Sequence, residues 1–106
     1  MIKEWKDKWV AALRSGNYEQ GKYCLRSKQN TYCCLGVLCD IYDNKVWSEH
    51  NSYFTYNGDS QSITRVMREA LELPTHHSSI VDDLMDKNDA YNETFSNIAN
   101  FIEENL

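Results

Sequence analysis

From Tyr32 to Leu38 the chain carries no charged side chain, and the apolar character continues through Cys39, Ile41 and Tyr42 with Asp40 as the only break. At helical spacing Cys34, Val37, Leu38 and Ile41 form one apolar face, and Leu35, Cys39 and Tyr42 form another. A helix over Cys33 to Tyr42 is therefore greasy on two sides, and such a helix has to be enclosed by other elements. Its narrow third side holds Gly36, Asp40 and Asp43. A glycine inside a helix costs about 1 kcal/mol relative to alanine, so the expected compensation at Gly36 is the close approach of another backbone or a ligand. The stretch is far short of the roughly 20 apolar residues of a membrane span.

The remaining segments read as a shell for this helix. Ile2 to Ser15 is amphipathic, with Ile2, Trp5, Trp9, Ala12 and Leu13 on one side, and Gly16 is placed to close it in the left-handed conformation. Asn17 to Gly21 reads as a loop. Tyr23 to Arg26 and Asn30 to Cys33 flank a polar tip and suggest a short hairpin. Tyr53 to Tyr56 reads as a strand before the turn residues Asn57, Gly58 and Asp59, with Ser60 to Ile63 or the earlier hairpin as its partner. Ile63 to Leu73 suggests a helix capped by Ser62, with Ile63, Val66, Met67 and Ala70 on its inner face, stopped by Pro74. Ser79 to Asp86 suggests a short helix burying Val81, Leu84 and Met85, and Glu93 to Asn105 a final one carrying Phe95, Ile98, Ala99 and Ile102. The chain is expected to be one α+β domain, mainly α, with four to five short helices around the central apolar helix and one or two small β-hairpins. At 106 residues there is room for one core only.

Four cysteines, Cys24, Cys33, Cys34 and Cys39, crowd the apolar run, which fits buried thiols better than a disulfide framework. Paired metal-ligand spacing is missing, so no metal and no cofactor is expected. His50, His76 and His77 stand beside no nucleophile motif, and burial would leave the thiols inert, so no catalytic residue is assigned. The N-terminus alternates charge with apolar residues and lacks the apolar core of a secretion signal; the expected location is a reducing cytoplasm.

The net charge of −5 is unevenly spread: up to Asn30 there are seven basic and three acidic side chains, and after it four basic and thirteen acidic. This distribution lacks the dense basic stripe of a duplex nucleic-acid binder. Asp82, Asp83, Asp86, Asp89 and Glu93 could form a solvated helix face, a docking surface for a basic protein or, ranked below that because a net −5 is modest for it, a face that mimics DNA. In the basic part, Arg14, Ser15, Tyr18, Gln20, Lys22 and Arg26 follow the first helix, where cations, hydroxyls and a ring can converge on a phosphorylated nucleotide. Asn88 and Asp89, read as a turn before the last helix, could complete that pocket by accepting from ribose hydroxyls or an adenine amino group. The architectural alternative gives Arg14 a carboxylate partner, lays Tyr18 over the core, has Gln20 fix a turn, and keeps Asn88 and Asp89 for local backbone bonds.

Two blocks carry a resemblance. Trp9, Ala12, Leu13, Arg14, Ser15, Gly16, Tyr18, Gln20 and Gly21, followed by Leu25, Arg26 and the run Cys33 to Asp40, form the first. Leu84, Asn88, Asp89, Phe95, Ser96, Ile98, Ala99, Ile102 and Glu103 form the second. Together they resemble a family of small bacteriophage and prophage proteins. Departures fall at Tyr23, where the pattern often has glycine, and at Ala90, Tyr91 and Asn92, where it has a glycine after the Asn-Asp pair. The resemblance implies a phage accessory protein in the host cytoplasm that interferes with host defence. The resulting expectation is a non-catalytic protein that sequesters a small nucleotide-derived immune signal through the residues after helix one. The alternative is an inhibitor or adaptor docking on a host protein through Trp47, Tyr53 and Tyr56. A homo-oligomer is plausible for either, because small chains form deeper pockets between copies.

Overall fold

The central helix lies where its composition demands. In the computed structural model, which describes residues 1–75 and 79–106, α2 (Cys34–Tyr42) has every side chain from Cys34 to Cys39 buried. Cys33 caps it, its sulfur accepting from the Gly36 amide at 3.4 Å. Gly36 faces the backbone of Leu25 so closely that an added Cβ would lie 1.8 Å from the Leu25 carbonyl oxygen. The expected compensation for a helical glycine is thus a backbone laid across the helix. The same carbonyl accepts from the Cys33 amide at 3.3 Å.

Helix α1 (Lys3–Arg14) lies against α5 (Phe95–Asn105) and against α2. Its Trp9 is fully buried, and the indole N–H donates to the Cys34 carbonyl at 2.9 Å. Gly16 closes α1 at φ 77°. Helix α5 starts at Thr94, whose hydroxyl accepts from the Asn97 amide, and it buries Phe95, Ile98, Ala99 and Ile102. Together these faces join the α2 side chains in one hydrophobic cluster.

The β structure departs from expectation. Glu19–Gln20, expected within a loop, form β1, which pairs in parallel with β2 (Thr31–Tyr32). The expected hairpin shrinks to an isolated antiparallel bridge between Arg26 and Tyr32. Its first arm cannot extend because Tyr23 is left-handed, at φ 69°, which no strand tolerates. Strand β4 (Phe54–Tyr56) pairs with β3 (Trp47–Glu49) in antiparallel register, not with Ser60 to Ile63. The expected contact with the earlier hairpin is present as a bridge from Tyr53 to Ser27 and a bond from the Phe54 amide to the Arg26 carbonyl. The turn at Asn57 and Gly58, both at positive φ, is closed by a single bridge from Tyr56 to Asp59. Beyond it the Asp59 carboxylate takes the amides of Gln61 and Ser62 and curls the chain away.

Helix α3 is shorter than expected, Arg65–Ala70, capped by Thr64 and not Ser62. Glu72 at φ 58° stops it before Pro74. Val66 and Ala70, expected inside, are exposed, and Ile63, Met67 and Leu71 carry the inner face. Helix α4 spans Ile80–Asp89 and extends further than expected, so Asn88 and Asp89 belong to its last turn. Among the described residues there are five helices and two small two-stranded sheets, an α+β fold that is mainly α. No described helix is long and apolar enough to cross a membrane.

The α2 crossing is testable. Gly36→Ala should cost about 3 kcal/mol or more, because backbone must move to admit the methyl group, measured as urea unfolding. Gly16→Ala meets open space and only a left-handed φ, so its cost should stay near 1–2 kcal/mol; equal losses at both positions would refute the close-approach account.

Candidate functional site

The residues expected to converge after α1 are spread over separate structural tasks. Arg14 donates to Glu103 and Asn100 of α5, both at 2.7 Å. Ser15 returns to the end of α1, donating to the Ala12 carbonyl and accepting from the Asn17 amide. Tyr18 is half-buried and donates to Asp40 at 2.6 Å, with its ring edge-on to Tyr32. The same carboxylate accepts from the Trp47 indole, so Asp40 joins two aromatic side chains from distant segments. Arg26 binds Asn30 through two nitrogens and stacks on Phe54, 3.9 Å from the ring centroid. Lys22 is exposed and has no hydrogen-bond or ion-pair partner among the described residues. These side chains line neither of the two recesses described below.

Gln20, Asn88 and Asp89 do meet, around a buried amide. Asn88 is fully buried. Its oxygen accepts from Gln20 Nε2 at 2.9 Å and from the Cys34 amide at 3.2 Å. Its nitrogen donates to the Gly21 carbonyl at 2.9 Å and to Asp89 at 2.8 Å. A primary amide offers two donors and two lone pairs, so this one is saturated. Asp89 also accepts from the Tyr23 amide, and Gln20 Nε2 also reaches the Glu93 carbonyl. One amide thereby links β1, the start of α2, the end of α4 and the approach to α5. Tyr23 and Asn92, at φ 69° and 54°, are both left-handed.

The aromatic middle segment presents less surface than expected. Tyr56 is buried and its hydroxyl donates to the Asp43 carbonyl. Trp47 is half-buried among Tyr32, Phe54 and Tyr56. Of the three residues expected on a docking face, Tyr53 alone is exposed, and it stacks on His50. Both His76 and His77 lie outside the described residues.

An open groove of about 390 Å³ lies elsewhere, between α3 and α4. Arg65 and Arg68 line it from α3, Asp82 and Met85 from α4, and Ser62, Thr64 and Asp59 from the chain leading into α3. Arg68 is fixed through Nε to the Ile63 carbonyl and through Nη2 to Ser62. Its Nη1 is uncommitted among the described residues. Arg65 is largely exposed and holds Glu69 through Nε alone. A legible signal existed for this pair: after Asn30 basic residues are sparse, and two of the four stand three positions apart on one short helix.

The cysteines are free, with Cys33, Cys34 and Cys39 buried and Cys24 half-buried. Burial is the main cause that pushes the Cys33 thiol up to about 12, against bonds from the Gly36 and Leu35 amides. It raises Cys34, Cys39, Tyr18 and Tyr56 as well. Among the described residues no group of three metal-ligating side chains occurs.

Two predictions follow from these buried polar groups. Asn88→Ala would strand the Cys34 amide, the Gly21 carbonyl and Gln20, and should cost roughly 3 kcal/mol or more by chemical unfolding. Lys22→Ala should stay within about 0.5 kcal/mol of the parent. A small loss at Asn88 would deny it the organising role. The raised thiols favour the folded state while they are protonated. Their stabilisation is intact below the ordinary thiol value of 9.0 and declines toward about 12 for Cys33. Unfolding midpoints in urea should therefore be level from pH 7 to 8.5 and fall above it; a midpoint that rises at pH 10.5 contradicts the burial of these groups.

No curated protein and no solved structure matches the chain. A family model described as a domain of unknown function, DUF8296, matches residues 1–106. That match takes in every element described above, from α1 through α5, and the chain belongs to the DUF8296 family.

Proposed function

We propose that this protein is a non-catalytic binding protein that sequesters a small nucleotide-derived signal, in the phage counter-defence setting that the motif resemblance implies. The ligand seat is the groove between α3 and α4, and not the bend after α1. The observation that supports this reading is the pairing of Arg65 and Arg68 on one wall of a groove of about 390 Å³. That volume falls in the range of roughly 300–1,000 Å³ common to small-ligand sites. Guanidinium groups match phosphate oxygens in geometry and charge. Ser62 and Thr64 offer hydroxyls beside them, and Asp82 across the groove is an acceptor for the amino group of a base. Met85 supplies a polarisable contact for a ring.

The absence of turnover is part of the proposal, and the chemistry of the thiols supports it. A nucleophilic cysteine needs its thiolate, while burial holds Cys33, Cys34 and Cys39 in the neutral form.

Capture tests the reading directly. The protein is recovered from signal-producing bacteria and denatured, the released small molecules are identified by mass spectrometry, and intact nucleotide is expected at near-stoichiometric yield. Titration calorimetry with adenosine monophosphate, ADP-ribose and a cyclic dinucleotide should then show at least one binder. Arg65→Ala and Arg68→Ala should each weaken it about tenfold or more, a loss near 1.4 kcal/mol, while Arg14→Ala leaves it unchanged. An empty released fraction with no titration heat would overturn the function. A ligand lost on Arg14→Ala but kept by both α3 variants would return the site to the bend.

A further inference from the structure

A second recess, of about 180 Å³, lies between α4 and α5. Asp83, Asp86 and Lys87 line it from α4, and Tyr91 and Phe101 give it aromatic walls. Its size is below the roughly 300–1,000 Å³ of ordinary small-ligand sites, so it suits a single extended side chain.

The chain itself indicates which side chain. The Lys87 ammonium sits 4.4 Å from the centroid of the Phe101 ring and 3.3 Å from the Glu93 carboxylate. A cation over a ring face, with carboxylates near, is an attractive arrangement that strengthens as water is excluded. Lys87 is already a cation seated in this recess, yet it leaves the recess's other groups unused. The carboxylates of Asp83 and Asp86 have no hydrogen-bond or ion-pair partner among the described residues, and Tyr91 is 71% exposed.

We propose that this recess is the docking point for an arginine or lysine side chain on a basic segment of a partner protein, with Lys87 as its internal competitor. The incoming cation lies between the Tyr91 ring and the two free carboxylates, and the Lys87 ammonium gives up its place over Phe101 while keeping its bond to Glu93. Charge complementarity favours this occupant, since the chain after Asn30 has thirteen acidic and four basic side chains. The surroundings favour a protein over a free amine. Tyr23, 69% exposed, is held by its amide to Asp89, two residues before Tyr91. Two exposed tyrosines therefore flank the same helix end, and tyrosine is a residue type enriched at the anchoring points of protein interfaces. The site is separate from the α3–α4 groove and stands whether or not that groove holds a nucleotide.

A synthetic peptide of alternating arginine and glycine, titrated into the whole protein and followed by amide NMR shifts, tests the proposal, with spermidine as the small-cation arm. Shifts are expected at Asp83, Asp86, Tyr91 and Phe101, with binding that weakens as salt rises. Tyr91→Ala and the double variant Asp83→Asn, Asp86→Asn should each weaken peptide binding at least fivefold. Lys87→Met, which keeps an apolar chain on Phe101 and removes the competing charge, should strengthen it several-fold. Thermal unfolding of each variant establishes that it is folded before titration, and Tyr91→Phe substitutes for any alanine variant that is not, with near-parent binding expected. Unchanged or weaker binding by folded Lys87→Met would overturn the competition, and unchanged binding by Tyr91→Ala would overturn the site. Spermidine binding as tightly as the peptide would overturn the protein-docking assignment.

Discussion

The side-chain amide of Asn88 holds together parts of the chain that hydrophobic contact alone would not align. An apolar helix such as α2 can be covered by amphipathic neighbours in many rotations, because burial is nearly indifferent to register. Hydrogen bonds are not. The Asn88 oxygen takes the Cys34 amide, one of the N–H groups that every helix start leaves without an internal partner. It takes Gln20 at the same time, while the nitrogen binds the Gly21 carbonyl. Satisfying all four groups of a fully buried amide fixes where α4 ends relative to where α2 begins. It also fixes the path of the strand-like segment between them. A polar group is costly to bury unless it is fully bonded, so the same network that orders the fold penalises alternatives to it.

Gly36 supplies the complementary steric constraint. The Leu25 backbone can cross α2 only because no Cβ stands there, and this crossing brings the Leu25 carbonyl to the Cys33 amide at the helix start. The Leu25 amide in turn donates to the Ser60 carbonyl, so the chain after the aromatic hairpin is tied to the same point. One missing methyl group and one saturated amide together place segments that are tens of residues apart in sequence. The unusual backbone at Tyr23 has the same origin: its amide is bound by Asp89, and the left-handed turn keeps that bond while leading into Leu25.

The helices were legible because their signal is periodic and local: α1, α2 and α5 follow from apolar spacing to within a residue or two at each end. The pairing of strands was not, since two- and three-residue strands carry too little pattern to identify a partner. β1 pairs in parallel with residues twelve positions on, and Gln20 and Gly21 are also bound to Asn88 of a helix far along the chain. The polar residues after α1 are recognisable as purposeful, and the sequence leaves open both a ligand and the scaffold; much of their chemistry serves the scaffold, as with Arg14 on Glu103. Composition cannot separate the two cases. An arginine that clamps Glu103 and one that clamps a phosphate are the same residue in a sequence, and only the position of α5 distinguishes them. The helix ends at α3 and α4 shifted for a related reason. Ser62 reads as the cap from sequence, but Thr64 accepts from the Met67 amide and Ser62 accepts from Arg68 instead.

Once the conspicuous polar residues are engaged internally, function has to be sought where charged groups remain unspent, and both recesses lie along α4. Asp82 and Met85 face one, and Asp83, Asp86 and Lys87 face the other. The two sets occupy neighbouring faces of the helix: successive residues diverge by about 100°, while Asp82 and Asp86, four apart, lie along the shared edge. The helix is anchored at its far end by Asn88, so side chains on both faces project from a fixed backbone. That matters for binding, because a side chain held on a rigid element loses little freedom when it meets a ligand. Both recesses mix charges: the first sets Arg65 and Arg68 against Asp59 and Asp82, and the second sets Asp83 and Asp86 against Lys87. What distinguishes them is the group each leaves uncommitted: guanidinium nitrogens of Arg65 and Arg68 in the first, and the carboxylates of Asp83 and Asp86 beside two aromatic rings in the second.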